Sequence, residues 1–472
     1  MLNKNEIQLL RQAHDKVIDH LTANDAVKVK QNFTLETIDK LLDFDLGESS
    51  ELEDIRIIID NYLTSAVRTD SPNFYNQLFS GFSPLGYIGE IIATITNSSM
   101  YTFEMSPAAT LMENKLINKM CHYVGYQNGF GTFVPGGSNG NLVAMLAARF
   151  THCPGSKIEG LSSEKRLTAF VSEESHYSFI KAAHQLGIGT NQIRRVPCDA
   201  NGRMDIDQLN NLIKISIDAG EKPFFVGATA GTTVRGTFDP IEKIAKVCKT
   251  FGLWYHIDGS WGGSVLLSSQ HKYLLEGSQY SDSFTWCAHK MMGVPLVCTV
   301  SLFKDKAILL KINDVKGTDY LFHGDNHQGL DLGIYSLQCG RKVDALKLWL
   351  TWKYFGDDGY EERINHLFDM AQYAKSKVDA SSSLKLLTPT ISLNVCFQVQ
   401  TELVEQKNWN DLTIAVRESL CKDGQVMVNY AKIGDQSCIR LITVNFNLKE
   451  VHINFFFDKV EEMIDKNIPN FS

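Results

Sequence analysis

Between about residue 105 and residue 305 the sequence alternates short apolar runs with amphipathic helical patterns, and no other feature constrains the fold so strongly. LTAFVS (167–172) leads into SHYSFIKAAHQLG, QIRRVP into IDQLNNLIKISIDAG, and PFFVGAT into DPIEKIAKVCKTFG. The runs have strand length and are rich in β-branched and aromatic residues, whereas the stretches between them repeat apolar residues every three or four positions. LWYHID (253–258), SFTWCAH and VCTVSLF add three more strands. Strands separated by helices pair in parallel with helices on both faces, so the expectation is an α/β fold built on a large, mostly parallel sheet. Asp239 reads as the cap of the DPIEKIAKVCKTFG helix, with Pro240 at its first position.

The flanks differ in pattern. Residues 1–65 read as a helical arm, with Ile7, Leu10, Val17 and Leu21 and then Ile55, Ile58, Ile59 and Leu63 on helical spacing. SPNFYNQLFSGFSPLGYIGE reads as an ordered loop, and the glycine-punctuated VKGTDYLFHGDNHQGLDLG as a second, mobile one. A long helix is expected from about Ser336 through Trp352. The remainder mixes helices with the strands ISLNVCFQV and CIRLITVNF and closes with a helix near 448–465. The division expected is a helical segment over 1–65, a large domain over 66–350 and a small α+β domain over 351–472.

Composition narrows the function. The 472 residues carry 46 Lys and Arg against 54 Asp and Glu, a net charge of −8, without a basic run, which argues against nucleic acid or a membrane surface as partner. No stretch nears the roughly 18 apolar residues of a membrane span, and the start lacks the apolar centre of a signal peptide. Ten scattered cysteines with no C-x-x-C read as free thiols in a reducing cytoplasm, not as a disulfide framework or zinc site.

Four features sit at the ends of expected elements, where α/β proteins place ligands. The turn Gly136-Gly137-Ser138 opens the helix NLVAMLAARF, and N–H groups at a helix start suit a phosphate, although many such turns merely turn. Asp258 ends the strand LWYHID; a buried carboxylate there needs a cationic partner, unless it is a satisfied structural group. Lys290, in His289-Lys290-Met291-Met292-Gly293, is either a Schiff-base amine or a side chain that snorkels to water. His176, in Ser175-His176-Tyr177-Ser178, could stack on a flat ligand or bond within the core. Together they are the contacts that pyridoxal 5'-phosphate requires: a lysine for the aldehyde, an acid for the ring nitrogen, a flat face and a phosphate cradle.

The order PGGS, SHYS, ATAGTTVRGTFDPI, HIDGSWGG, TWCAHKMMGVPL and LQCGRKVDALKLWLTW resembles the glutamate and cysteine sulfinate decarboxylase group of pyridoxal-phosphate enzymes, over roughly residues 70 to 470. The resemblance implies a fold type I, aminotransferase-like homodimer with its active site at the subunit boundary. It implies that Lys290 carries the cofactor, Asp258 pairs with the ring nitrogen, His176 stacks on the ring, and Thr229 contacts the ring's oxygen side. Gly137, Ser138 and His289 would surround the phosphate, and Tyr320 would return a proton to the substrate carbon. Gln77 and Arg440 match positions that hold a substrate carboxylate. The family usually has Asp-Ala-Ala-Trp where this chain has Asp258-Gly259-Ser260-Trp261, and Asn-Pro-His-Lys where it has Cys287-Ala288-His289-Lys290. Ser260 is small enough to lie under the ring, whereas Cys287 replaces an amide able to bond the phosphate.

The implied reaction is decarboxylation of a small acidic amino acid. Phe79-Ser80-Gly81 and Ser99 are similar to the cysteine sulfinate and aspartate enzymes of the group, and a bulky Phe79 would shorten the pocket. Cysteine sulfinate or aspartate is therefore expected ahead of glutamate, with overlap, because one methylene is worth only about 1–3 kcal/mol. A nicotinamide dehydrogenase would need a third glycine after Gly129-Phe130-Gly131. A zinc site at His323 and His327, with Asp325 between, lacks a third ligand, and no metal is expected. A non-catalytic scaffold that kept the fold is the other alternative.

Overall fold

Leu167–Ser172 is buried at every position, as are Trp254–Gly259 and Ser283–Cys287, because a parallel sheet with helices on both faces leaves no strand face for water. The computed structural model describes residues 2–23, 27–47, 49–161, 165–315, 317, 321–322 and 329–471. In chain order its strands are β1 (Phe74–Tyr75), β2 (Phe130–Val134), β3 (Leu167–Ser172), β4 (Ile193–Val196), β5 (Lys222–Thr229) and β6 (Trp254–Gly259). Then come β7 (Ser283–Cys287), β8 (Thr299–Phe303), β9 (Leu384–Leu386), β10 (Asn394–Val399), β11 (Met427–Ile433) and β12 (Gln436–Ile442).

The chain forms two compact units. The larger comprises Ser83–Asp369 with Thr388–Asn394. Its seven-stranded sheet has the order β2-β8-β7-β6-β5-β3-β4. β4, β3, β5, β6 and β7 pair in parallel, and β8 runs antiparallel to both β7 and β2. This is the α/β architecture expected of the alternating region. The helices between strands are amphipathic: Ile241–Phe251, for example, buries Ile241, Ile244, Ala245, Val247 and Cys248.

The smaller unit comprises Met1–Phe82, Met370–Leu387 and Val395–Ser472. Its five-stranded sheet has the order β1-β11-β12-β10-β9, and an aromatic core packs on it, with Tyr75 and Phe456 rings 5.0 Å apart and Phe397 and Phe457 5.7 Å apart. These units are not the three consecutive segments expected, because β1 pairs with β11 (Phe74 with Met427, Tyr75 with Val428) and so joins the N-terminal residues to the C-terminal sheet. The helical stretch Asp344–Ala380 is broken at Gly356, whose φ is +65°, and gives its last residues, from Met370, to the smaller unit.

Three local expectations change. The end of SPNFYNQLFSGFSPLGYIGE is helical: Pro84–Thr96 begins at Ser83, whose hydroxyl accepts the Gly86 N–H at 3.1 Å. The long helix begins at Asp344, not near Ser336, because the Arg341 backbone bonds Ser99 Oγ and the Met100 N–H instead. Asp239 does not cap its helix, which starts at Ile241 after Pro240. Its carboxylate accepts the N–H groups of Thr229 at 2.7 Å and Met204 at 2.8 Å.

Candidate active site

Alternation along β6 puts Trp254, His256 and Asp258 on one face, and parallel register aligns the carboxyl ends of its neighbours, with Thr229 beside Asp258 and Asp258 beside Thr285. At those ends lies a cavity of about 200 Å³. Seven of the eight residues expected around the cofactor line it: Gly137, Ser138, His176, Thr229, Asp258, Ser260 and Lys290. Tyr177, Gly231, Thr233 and Trp261 complete the wall.

Asp258 is buried, and burial alone would push its carboxyl up. Hydrogen bonds from Ser260 N–H at 3.0 Å and Asn141 Nδ2 at 2.7 Å, with the positive field of Lys290, outweigh that cost and hold it below the usual carboxylate range. A buried anion thus faces the cavity that Lys290 lines.

The opposite wall is the start of the helix Gly137–His152. Gly136 precedes it at φ +115°, a conformation that side chains rarely adopt. A Cβ on Gly137 would come within 2.3 Å of Ser260 Oγ and 3.3 Å of Cys287 Sγ, so only glycine lets this helix start approach so closely. Its N–H groups, the positive end of the helix dipole and the Ser138 hydroxyl suit an anion. Cys287, at the position of the expected amide, is buried and accepts from Thr299 Oγ1 at 3.2 Å.

His176 is half-buried, which lowers its pKa, and its Nδ1 accepts the Ser178 N–H at 3.3 Å. The Thr229 hydroxyl is buried without a hydrogen-bond partner, a polar atom left for a ligand in the cavity wall. Lys290 is half-buried and on the cavity. His289 is the exception among the eight. It does not line the cavity; its Nδ1 lies 2.9 Å from Cys298 O and 3.1 Å from Cys298 N, and burial pushes its pKa down to about 4.

Three of the four expected substrate residues lie in the smaller unit. Arg440, on the central strand β12, is buried, and its Nη2 donates to Asn76 O at 3.0 Å, so it is not a surface arginine. Gln77 donates to Asn76 Oδ1 at 2.6 Å, and Phe79 packs 6.4 Å from the Phe74 ring. Ser99 lies in the larger unit, where it accepts the Arg341 N–H at 3.2 Å; it is not on the cavity wall. Tyr320, His323, Asp325 and His327 lie outside the described residues. Asn141, which bonds Asp258, and His256, which bonds Asn141, are not among the residues that the sequence singles out. The one available signal was a histidine two positions before Asp258 in a buried strand.

An anionic carboxylate, a lysine, an imidazole and a helix start converge where parallel strands end, and the orphaned Thr229 hydroxyl fits a ligand with hydrogen-bonding ring substituents. The class defined by this fold and site is the fold type I pyridoxal-phosphate enzymes. Residues 36–400 match the pyridoxal-dependent decarboxylase conserved domain, and the chain belongs to that family; its cofactor is pyridoxal 5'-phosphate. It is 39% identical over 442 residues to cysteine sulfinic acid decarboxylase of Mus musculus, covering 90% of this chain and 89% of the relative. It is 37% identical over 440 residues to the acidic amino acid decarboxylase of Mus musculus, covering 91% and 80%. The crystal structure of mouse CSAD in apo form superposes with a TM-score of 0.93 at 35% identity, covering 97% of this chain and 98% of that one. Among the described residues no helix is long and apolar enough to cross a membrane.

Proposed function

We propose that this decarboxylase acts on a small acidic L-amino acid, cysteine sulfinate or aspartate ahead of glutamate. The observation that carries the reaction type is the buried Asp258, hydrogen-bonded by Asn141 and the Ser260 N–H, on the cavity shared with Lys290. When bound, pyridoxal phosphate supplies an aldehyde that takes the substrate amine and a cationic ring that accepts the electron pair left as carbon dioxide departs. Lys290 supplies the amine that holds the cofactor and later releases product. Asp258 keeps a proton on the ring nitrogen, because its own carboxyl favours the ionised form. The helix start at Gly137 and Ser138 would hold the phosphate, His176 would lie against the ring, and Thr229 would bond its oxygen substituent.

Two relatives named for cysteine sulfinic acid and for acidic amino acids support the substrate class, as does Arg440, whose guanidinium suits a carboxylate. The bulk of Phe79 favours the shorter acids. The same reading makes the enzyme a cytoplasmic homodimer, in keeping with ten free cysteines and with the resemblance. Measured side by side, kcat/KM for cysteine sulfinate and aspartate should exceed that for glutamate by about tenfold or more; a clear preference for glutamate overturns the short-pocket argument. Tyr320 is proposed as the acid that returns a proton to the substrate carbon. Tyr320→Phe should then shift product from amine toward aldehyde, and an unchanged amine yield removes that role.

A further inference from the structure

The three residues on one face of β6 are joined, through two others, into a continuous chain of hydrogen bonds. Trp254 Nε1 donates to Ser283 Oγ at 2.8 Å, and Ser283, opposite His256 on β7, lies 2.9 Å from His256 Nδ1. His256 Nε2 lies 3.0 Å from Asn141 Oδ1, and Asn141 Nδ2 donates to Asp258 Oδ2 at 2.7 Å. All five side chains are buried.

The ends set the direction. An indole N–H can only donate, and an ionised carboxylate can only accept. Because Asn141 turns its nitrogen to Asp258, its oxygen must accept, and the donor is His256 Nε2–H. Burial pushes the His256 pKa down to about 4, so the ring is neutral at physiological pH and its Nδ1 accepts from the Ser283 hydroxyl. The Ser283 oxygen then takes the Trp254 N–H, and no donor faces a donor anywhere along the chain.

The oxygen and nitrogen of a carboxamide have nearly the same shape, so sterics do not choose between the two orientations of Asn141. The His256 N–H does. Turned over, the amide would set its oxygen against Asp258 and its nitrogen against the histidine N–H, both away from water, where unpaired polar groups cost most. We infer that Asn141 and His256 are positioning residues for the decarboxylation: His256 locks the Asn141 amide with its N–H toward Asp258, and that lock keeps the Asp258 carboxylate ionised and in place for the cofactor ring. The second Asn141 N–H reaches Ser178 Oγ at 2.9 Å, and the Ser178 N–H bonds His176 Nδ1, so one amide braces both residues proposed to hold the ring. The inference rests on the role of Asp258 proposed above.

The test titrates the cofactor-free proteins with pyridoxal phosphate and measures kcat and KM of the loaded ones. Asn141→Leu keeps the volume and removes both N–H groups. Its cofactor dissociation constant should rise about 10- to 100-fold, the range for losing a hydrogen bond to a charged group, with kcat falling more than KM rises. His256→Gln restores an N–H near Nε2 and should bind cofactor within about threefold of wild type, whereas His256→Leu should lose about tenfold at an equal melting temperature of the cofactor-free forms. Leu and Gln variants at 256 with equal affinity, or an Asn141→Leu protein that binds as wild type does, overturn the inference. Should Asn141→Leu not fold, the pair at 256 decides. A wild-type protein that takes up no pyridoxal phosphate overturns the proposed function and the lock with it; a wild type that binds cofactor beside variants that bind it equally overturns the lock alone.

Discussion

Two buried carboxyl groups lie on either side of Thr229, and their surroundings shift them in opposite directions. Asp258 is the register partner of Thr229 across β5 and β6, and Asp239 accepts the Thr229 N–H. Each accepts two hydrogen bonds, and for each burial is the largest influence and pushes the carboxyl up. At Asp258 the positive field of Lys290 adds to the hydrogen bonds, and its pKa falls below the ordinary value. Asp239 faces Asp199 and Glu174 instead, and its pKa rises from 3.8 to about 7. With two hydrogen bonds to each acid, the count alone does not separate them; which groups donate, and whether a cation or other carboxylates stand nearby, does. One carboxylate is thereby equipped to hold a cation, and the other ties the Met204 and Thr229 backbones together.

Removing the cation opposite Asp258 is the strongest way to break this contrast. Lys290→Ala should abolish covalent cofactor attachment at position 290, read by borohydride reduction and peptide mass, and lower decarboxylation by about 10³-fold or more. A labelled peptide or a normal rate in that variant would mean that another amine does the work. Asp258→Asn keeps the shape and deletes the charge. A loss in kcat of about 100-fold or more is expected, measured as carbon dioxide release at saturating substrate, and an unchanged kcat would put Asp258 on the same structural footing as Asp239.

The smallest effect sharpens the other side. The native-state pKa of Asp239 lies above its unfolded value, so the stability it contributes is fully present below the ordinary carboxylate range and is lost as pH rises through about 7. Asp258 has the opposite sign: its contribution is present above the ordinary range and is lost as pH falls below it. Melting temperatures recorded between about pH 5 and pH 8 should therefore decline with pH by a few degrees through Asp239. Asp239→Asn should melt lower throughout, having lost an acceptor, but without that share of the slope; an unchanged slope would show that Asp239 is already ionised at pH 5.

Much of the larger unit was legible because its signals are local. Leu167–Ser172 and Trp254–Gly259 show themselves as apolar runs, and Lys290, Asp258 and the Gly136-Gly137 turn stand at the ends of elements that periodicity alone locates. The misreadings share one cause, a partner far away in the chain. Asp239 has the sequence context of a helix cap, yet its carboxylate is taken by backbone N–H groups of two other segments. Phe74-Tyr75 reads as a loop of the large domain because nothing in those two residues announces that Met427 and Val428 will pair with them. His289, expected at the phosphate, is a separate case: its Nδ1 meets the Cys298 backbone nine positions on.

By itself the sequence determined the alternation of strands and helices, and with it the parallel sheet, the crevice at its carboxyl ends and the identity of the lysine and aspartate placed there. These follow from periodicities of two and of three to four residues, which short segments express on their own. Only the tertiary structure decided which buried groups are charged and which way their hydrogen bonds run. Asn141 and His256 are 115 positions apart, and so their meeting, like the state of Asp258 that depends on it, is a property of the packed molecule: the energy of a buried charge is set by whatever the fold brings within a few ångströms of it.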